Sequence, residues 1–168
     1  ALALATRDED LRAQLGDVFV RAGLICERSA DVIGVEMAGA AKNAASLAAA
    51  AAAPHGLNAA GIAAAEIWRE CLAYATIRGG SPETFAGLAG VGDLTATIMA
   101  PGSRNRGPER IGQASEGLDS VPLIAAAVER AGVEAGGLSG LAALIGGEMT
   151  AVEWVEGLRR AERVRTAA

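Results

Sequence analysis

The chain has 168 residues, enough for one domain with its own hydrophobic core. Its formal net charge of −5 argues against broad nucleic-acid binding, which needs clustered cations, but leaves room for one small anion site. Because 51% of the residues are hydrophobic and only 3% aromatic, the core must consist of Ala, Leu, Val and Ile. We therefore expect closely packed helices.

The cysteines, the histidine and the hydrophobic runs limit which metal sites and which cellular locations the chain could have. Cys26 and Cys71 lack metal-binding or CxxC spacing, so we expect two reduced packing residues in a cytoplasmic protein. His55 is the only histidine, so we predict no histidine-based metal site. The run AASLAAAAAAP is too short and too weakly hydrophobic for a membrane span, and we expect no signal peptide.

The first 29 residues predict a strand, a helix and a second strand. ALALAT is short and apolar, and TRDEDLRAQLGDVFVRAG has helical spacing. Thr6 and Glu9 have the spacing of a capping box, and Gly23 is a plausible helix end. The segment LICE has the character of a strand. We interpret this unit as the end of a larger α/β domain.

A long helix is predicted from Asp31 through DVIGVEMAGAAKNAASLAAAAA. Gly34 and Gly39 interrupt it at points where another helix or a ligand could approach closely. The break PHGLN ends this helix, and Asn58 is predicted to cap the next one, which continues to about Arg78.

Shorter helices are predicted in the second half of the chain. Ser81 is expected to cap a helix that ends near residue 86, and residues 121–131 and part of EAGGLSGLAALIGG also have helical character. Thr150 and Glu153 form a second capping-box pattern before an Arg-rich final helix.

Lys42 is the single lysine, the other 14 of the 15 basic residues being arginine. It lies inside an apolar helix. A desolvated lysine can exchange a proton near neutral pH, because burial penalises its charged form. A lysine that extends from an Ala-rich surface into solvent is the alternative that the position leaves open.

Asp93 stands between Gly92 and Leu94 in a turn-prone segment. It could form an Asx turn or cap a helix. It could instead bind a substrate hydroxyl or orient Lys42.

Ser103, Arg104 and Asn105 follow a Pro-Gly turn. Their hydroxyl, guanidinium and amide groups could form a clamp for phosphate or for an oxyanion. A solvated loop with a local turn is the alternative.

These residues, taken in order, resemble the C-terminal domain of the bacterial NAD(P)-dependent glycerol-3-phosphate dehydrogenases. The matching segments are DVIGVEMAGAAKN, SPETFAGLAGVGDL, APGSRNR and the EG at 116–117. The resemblance runs with little interruption over residues 31–106. The ordered set of motifs is highly specific, although each would be weak alone.

The resemblance implies a role for each candidate residue. Lys42 matches the family's proton-transfer lysine, and Asp93 matches a substrate-binding aspartate that we group with it as catalytic. Ser103, Arg104 and Asn105 match the substrate-binding triplet, with Arg104 also near the cofactor. Glu116 matches a glutamate that contacts the cofactor.

The resemblance also implies a fold and a reaction. We expect a mainly all-α domain of the 6-phosphogluconate-dehydrogenase-like type at residues 30–168, preceded at 1–29 by a strand-helix-strand remnant of a Rossmann domain. The implied reaction interconverts sn-glycerol 3-phosphate and dihydroxyacetone phosphate with NAD or NADP, and supplies glycerophospholipid precursors. The cofactor would be bound mainly by the rest of the N-terminal domain, so we expect no turnover from this chain alone.

The sequence and the resemblance together predict binding partners, and two other functions remain as alternatives. We expect a small phosphorylated substrate, no nucleic acid, and a homodimer compatible with the Ala/Gly helix faces. The main alternative is a non-catalytic helical dimerisation or regulatory domain that retains relic site residues. A related hydroxyacid dehydrogenase ranks last, because those enzymes space lysine and asparagine as KxxxN, whereas Lys42 and Asn43 are adjacent.

Overall fold

A computed structural model describes residues 1–100 and 116–166, with side chains described through residue 100 and over 117–161. The chain begins with strand β1 (Leu2–Ala5), helix α1 (Glu9–Arg21) and strand β2 (Cys26–Ser29). The strands pair in parallel, with Leu2 opposite Cys26 and Ala5 opposite Ser29. The predicted strand-helix-strand order is confirmed.

Two local predictions in this unit were wrong. Asp8, not Thr6, caps α1, because its carboxylate accepts a hydrogen bond from Leu11 N at 2.9 Å. The second strand begins two residues after Leu24, whose N–H donates to Phe19 O at the end of α1. Gly23 has φ +82° and completes this C-terminal cap, so Leu24 belongs to the helix end rather than to the strand.

Helices α2 (Val32–Ala52) and α3 (Leu57–Ile77) form the centre of the molecule and have the most extensive mutual contact. A single 3₁₀ turn at Ala53–His55 joins them. The buried face of α2 is almost entirely alanine, so the two backbones can approach closely. Asp31 caps α2, its carboxylate accepting from Gly34 N at 2.7 Å.

The predicted cap at Asn58 was wrong. The residue before α3 is Gly56, which has φ +106° and makes no side-chain cap. Asn58 lies inside the first turn of α3. Gly56 takes the capping position predicted for Asn58, in a backbone conformation that glycine adopts most easily.

The segment after α3 carries Asp93. Ser81 caps helix α4 (Pro82–Ala86) as predicted, and its hydroxyl accepts a hydrogen bond from Glu83 N. A π-helical turn (Leu88–Gly92) then leads directly into α5 (Asp93–Met99). Both the turn and α5 pack on α2.

Three further helices close the core: α6 (Glu116–Arg130), α7 (Gly136–Gly146) and α8 (Ala151–Thr166). Helix α6 begins five residues before its predicted start, despite the interior Pro122. Its first turns pack tightly on α2, where a Cβ at Gly117 would lie 3.3 Å from Asn43 O. The capping box of Thr150 and Glu153 is present, with Thr150 N donating to Glu153 Oε2 at 2.9 Å.

The resulting molecule is mainly helical, as predicted. Its largest fully buried apolar side chains come from four elements and include Phe85, Ile67, Leu138, Leu141, Val121 and Val128. Among the residues that the structure describes, no helix has the length and apolar character needed to cross a bilayer. The division into domains at residues 29 and 30 stays a prediction.

Candidate active site

Lys42 lies on α2 and its side chain is 21% exposed. Its Nζ is 2.9 Å from Asp93 Oδ2, so the ammonium forms an ion pair across 51 positions of the sequence. The side chain of Lys42 is therefore partly buried and has a specific acidic partner. The only lysine of the chain therefore meets the aspartate that the same motif set singled out.

Asp93 is the first residue of α5, and its side chain is 47% exposed. The residue before it, Gly92, makes no side-chain cap to α5, while the backbone N–H of Asp93 donates to Gly90 O and Leu88 O and so caps the π-helical turn. Its carboxylate instead faces Lys42. An acidic residue in the first helical turn also interacts favourably with the helix dipole.

A cleft of about 470 Å³ is lined by Asp93 but not by Lys42. Its walls come from β1, α2, the π-helical turn and α5. Most of its lining side chains are small or absent: Ala1, Leu2, Ala3, Val35, Gly39, Leu88, Ala89, Gly92, Asp93 and Ala96. Gly39 was predicted to mark a point of close approach, and a Cβ there would meet no atom within 4 Å. The space next to the Asp93 carboxylate is thus bordered mainly by small side chains.

Four of the predicted site residues cannot be placed in this cleft. Ser103, Arg104 and Asn105 lie outside the described residues. Glu116 is the first residue of α6, and its side chain is not among those described. The structure therefore brings together Lys42 and Asp93, and the positions of the other four side chains stay predictions.

Asp31 joins the start of α2 to the start of α4. Its Oδ1 accepts from Gly34 N, while its Oδ2 accepts from Ser81 N at 2.8 Å and from Thr84 Oγ1 at 2.6 Å. Burial raises the pKa of Asp31, but the three hydrogen bonds lower it by more, so the net pKa lies below the usual value. The charged form thereby fixes the helix of Lys42 to the segment that leads to Asp93.

Glu27 makes a second long-range contact to the same segment. Its Oε2 accepts from Leu88 N, the first residue of the π-helical turn, at 2.8 Å. Neither this contact of Glu27 nor the hydrogen bonds of Asp31 to the start of α4 were predicted from the sequence. A charged residue within a short strand was the only signal available for Glu27.

A larger cavity of about 720 Å³ lies between α7, α8 and Glu66 of α3. Neither Lys42 nor Asp93 lines it. Its walls combine four glycines with Trp154, whose Nε1 donates to Gly137 O at 3.2 Å. Within the described parts of the chain, no group of three or more His, Cys, Asp or Glu side chains could hold a metal ion.

Residues 31–119 match the family described as NAD-dependent glycerol-3-phosphate dehydrogenase C-terminus. The chain belongs to this family. The matched range contains the whole motif set from Asp31 to Glu116, so the resemblance inferred from the sequence is confirmed.

Curated relatives agree with this assignment. A protein of Mesorhizobium japonicum named glycerol-3-phosphate dehydrogenase (NAD(P)+) is 34% identical over 94% of this chain and 49% of its own length. A Sphingopyxis alaskensis protein of the same name, numbered 1, is 34% identical over 94% of this chain and 53% of its own length. The chain thus spans about half the length of the curated relatives it matches.

A solved structure of a glycerol-3-phosphate dehydrogenase supports the same family assignment. The crystal structure of glycerol-3-phosphate dehydrogenase from Coxiella burnetii superposes with a TM-score of 0.71 and 26% sequence identity. The match covers 93% of this chain and 53% of that chain. The helical fold of this family member is therefore confirmed.

Proposed function

We propose that this chain supplies the substrate-binding half of an enzyme that interconverts sn-glycerol 3-phosphate and dihydroxyacetone phosphate with NAD or NADP. The observation that carries the proposal is the 2.9 Å pair of Lys42 and Asp93 beside a cleft, in a chain of this family. A non-catalytic domain with relic site residues would keep this pair but show no turnover, so the activity measurement below decides between the two.

Lys42 is the proton-transfer group of this proposal. In the oxidation direction its neutral amine removes the proton of the hydroxyl on carbon 2, while a hydride leaves the same carbon and a ketone remains. In the reduction direction its ammonium returns a proton to the oxygen. General acid–base catalysis of this kind contributes about 10²- to 10⁴-fold to the rate.

Asp93 orients the lysine. The ion pair restricts the long and otherwise mobile lysine side chain to one direction. Because 47% of the Asp93 side chain is exposed, its second carboxylate oxygen can accept a hydrogen bond from a substrate hydroxyl. The pair therefore combines proton transfer with positioning of the substrate.

We propose that the cofactor ring lies in the cleft that Asp93 lines, where most side chains are small. Gly39 and Gly92 face the cleft from opposite elements, and a side chain at Gly39 would extend into open space. NAD or NADP, when bound, supplies the hydride acceptor for oxidation and the hydride donor for reduction. Arg104 and Glu116 are the residues of this chain that we expect to contact it.

Ser103, Arg104 and Asn105 are proposed to bind the substrate phosphate. A guanidinium matches phosphate oxygens bidentately, and the hydroxyl and amide add two further hydrogen-bond donors. This assignment rests on the motif, which lies within the family match. We further propose a cytoplasmic enzyme, active in glycerophospholipid precursor synthesis, that forms a homodimer through its helical part.

The experiment uses the protein in its full encoded length and measures NAD(P)-dependent oxidation of glycerol 3-phosphate and of glycerol. We expect turnover with the phosphorylated substrate only, since glycerol leaves the phosphate clamp empty. Asp93→Asn should lower kcat by about 10- to 100-fold, because it loosens the orientation of Lys42.

Asp17→Asn is the matched control. Asp17 pairs with Arg28 at 2.8 Å and is 59% exposed, but it is in the strand-helix-strand unit. It should leave kcat within about twofold of wild type, as expected for an exposed ion pair. Equal turnover with glycerol, or equal losses in both variants, would contradict the proposal.

A further inference from the structure

Glu27 reaches from the strand-helix-strand unit to the segment that bears Asp93. It lies on β2, is half-buried, and accepts a hydrogen bond from Leu88 N, 61 positions later, at 2.8 Å. Hydrogen bonds to a carboxylate are stronger than those between neutral groups. This contact fixes one end of the π-helical turn.

The carboxylate lies directly over the backbone at Gly87. A Cβ at Gly87 would be 3.0 Å from Glu27 Oε1 and 3.2 Å from Oε2. Contacts this short are tighter than usual, so a side chain at Gly87 would have to push the Glu27 carboxylate aside by a few tenths of an ångström. The glycine thus lets the carboxylate approach the backbone closely at this point.

The peptide unit between Gly87 and Leu88 is held on both sides. Its N–H donates to Glu27, and its carbonyl oxygen accepts from Gly90 N at 3.3 Å and from Gly92 N at 3.2 Å. Gly92 immediately precedes Asp93. The Leu88 N–H is bonded to the charged Glu27 carboxylate, which polarises the peptide unit. The Gly87 carbonyl of the same peptide therefore becomes a stronger acceptor for Gly90 N and Gly92 N.

We infer that Glu27 is a positioning residue for the Lys42–Asp93 pair: it orients the Gly87–Leu88 peptide, whose carbonyl anchors the turn that places Asp93 opposite Lys42. This inference rests on the function proposed above. It also assigns a role in the catalytic site to a strand that precedes the helical region. Removal of the carboxylate leaves Leu88 N without this acceptor and lets the turn shift relative to α2.

The test uses the full-length protein and three variants. Glu27→Ala removes the acceptor, and Glu27→Gln keeps one carbonyl oxygen that can accept from Leu88 N. Arg28→Ala is the control. Arg28 lies on the same strand as Glu27 and pairs with Asp17 of α1, and its described contacts do not include the π-helical turn. Steady-state kinetics are measured together with amide hydrogen exchange of the peptide covering residues 87–99.

Glu27→Ala should lower kcat by about 10- to 100-fold, with the KM for NAD(P) nearly unchanged, because a small displacement at the reacting groups suffices for such a loss. Glu27→Gln should restore most of the rate, and Arg28→Ala should retain it. Exchange across residues 87–99 should be faster in Glu27→Ala only.

Two results would overturn the inference. One is a wild-type kcat in Glu27→Ala. The other is equal losses in Glu27→Ala and Arg28→Ala, which would indicate general destabilisation of the strand. If the wild-type protein shows no turnover, the proposed function fails by itself. Hydrogen exchange then still decides whether Glu27 holds the turn. Faster exchange across residues 87–99 in Glu27→Ala would support the positioning role, and unchanged exchange would reject it.

Discussion

Glu70 is a fully buried carboxylate on α3, away from the Lys42–Asp93 pair. Its two oxygens accept hydrogen bonds from Gly137 N and Leu138 N at the start of α7, each at 2.7 Å. Burial raises the pKa of Glu70 to about 7, with a smaller contribution from Glu66, even though the two N–H donors lower it. The residue therefore titrates near neutral pH and links two helices of the core.

This pKa predicts a pH-dependent stability. The native state holds the proton of Glu70 more tightly than the unfolded state, so the stabilisation is fully present below about pH 4.5 and is lost as pH rises through about 7. Relative to Glu70→Gln, the free energy of unfolding of the wild type should fall by about 3 kcal/mol over this range. Urea unfolding at a series of pH values measures it.

Glu148→Gln provides the control for Glu70→Gln. Glu148 is exposed, so this variant reports the effect of removing one surface carboxylate from the net charge. Wild-type and Glu70→Gln curves that stay parallel across the pH series would show that Glu70 keeps one protonation state. The assignment of the titration to Glu70 would then be wrong.

Residue types and spacing were enough to identify some of the important side chains from the sequence, but not others. Lys42 could be found because it is the single lysine, and Asp93 because glycine precedes it in a motif shared with a family. Glu27 and Glu70 could not be found, since their partners are backbone N–H groups 61 to 68 positions away. Every residue except proline carries such a donor, so the sequence holds no mark of the contact.

At the scale of elements, the π-helical turn before α5 depends on Gly90. A Cβ at this position would lie 2.0 Å from Phe85 O and 2.5 Å from Phe85 C. Backbone atoms cannot move away as the end of a flexible side chain can. The turn therefore requires glycine, and any side chain would displace α5 together with Asp93.

A pair of alanine variants tests this dependence. Gly90→Ala should destabilise the protein by about 1–3 kcal/mol, as overpacking does elsewhere. Gly61→Ala introduces the same methyl group inside α3, where no atom lies within 4 Å, and should stabilise by about 1 kcal/mol. Thermal unfolding gives both values. Shifts of the same sign for the two variants would contradict the described geometry.

Local signals predicted the long helices better than the turns. Ser81 caps α4 as predicted, and Asp31, whose capping role was not predicted, caps α2; each accepts from a backbone N–H three or fewer positions away. The start of α6 depends on tight packing against Asn43, and the π-helical turn depends on Glu27 and Phe85. Such boundaries follow from tertiary contacts, which a local pattern does not contain.

At the scale of the whole molecule, the proposed reaction needs two parts. This chain provides Lys42 and Asp93 on two helices, and the cleft beside them has a wall from β1 of the strand-helix-strand unit. The chain spans about half the length of its curated relatives. Catalysis is therefore proposed for the full-length protein, where a dinucleotide-binding part would face this cleft.

The most direct test of the central claim is the kcat for oxidation of glycerol 3-phosphate by full-length wild type, Lys42→Met and Arg28→Met. Arg28 is the matched control, as its ion pair is 2.8 Å long against 2.9 Å for Lys42. Loss of the proton-transfer group should lower kcat by about 10²- to 10⁴-fold in Lys42→Met only. A wild type without turnover, or a Lys42→Met variant as active as Arg28→Met, would contradict the account.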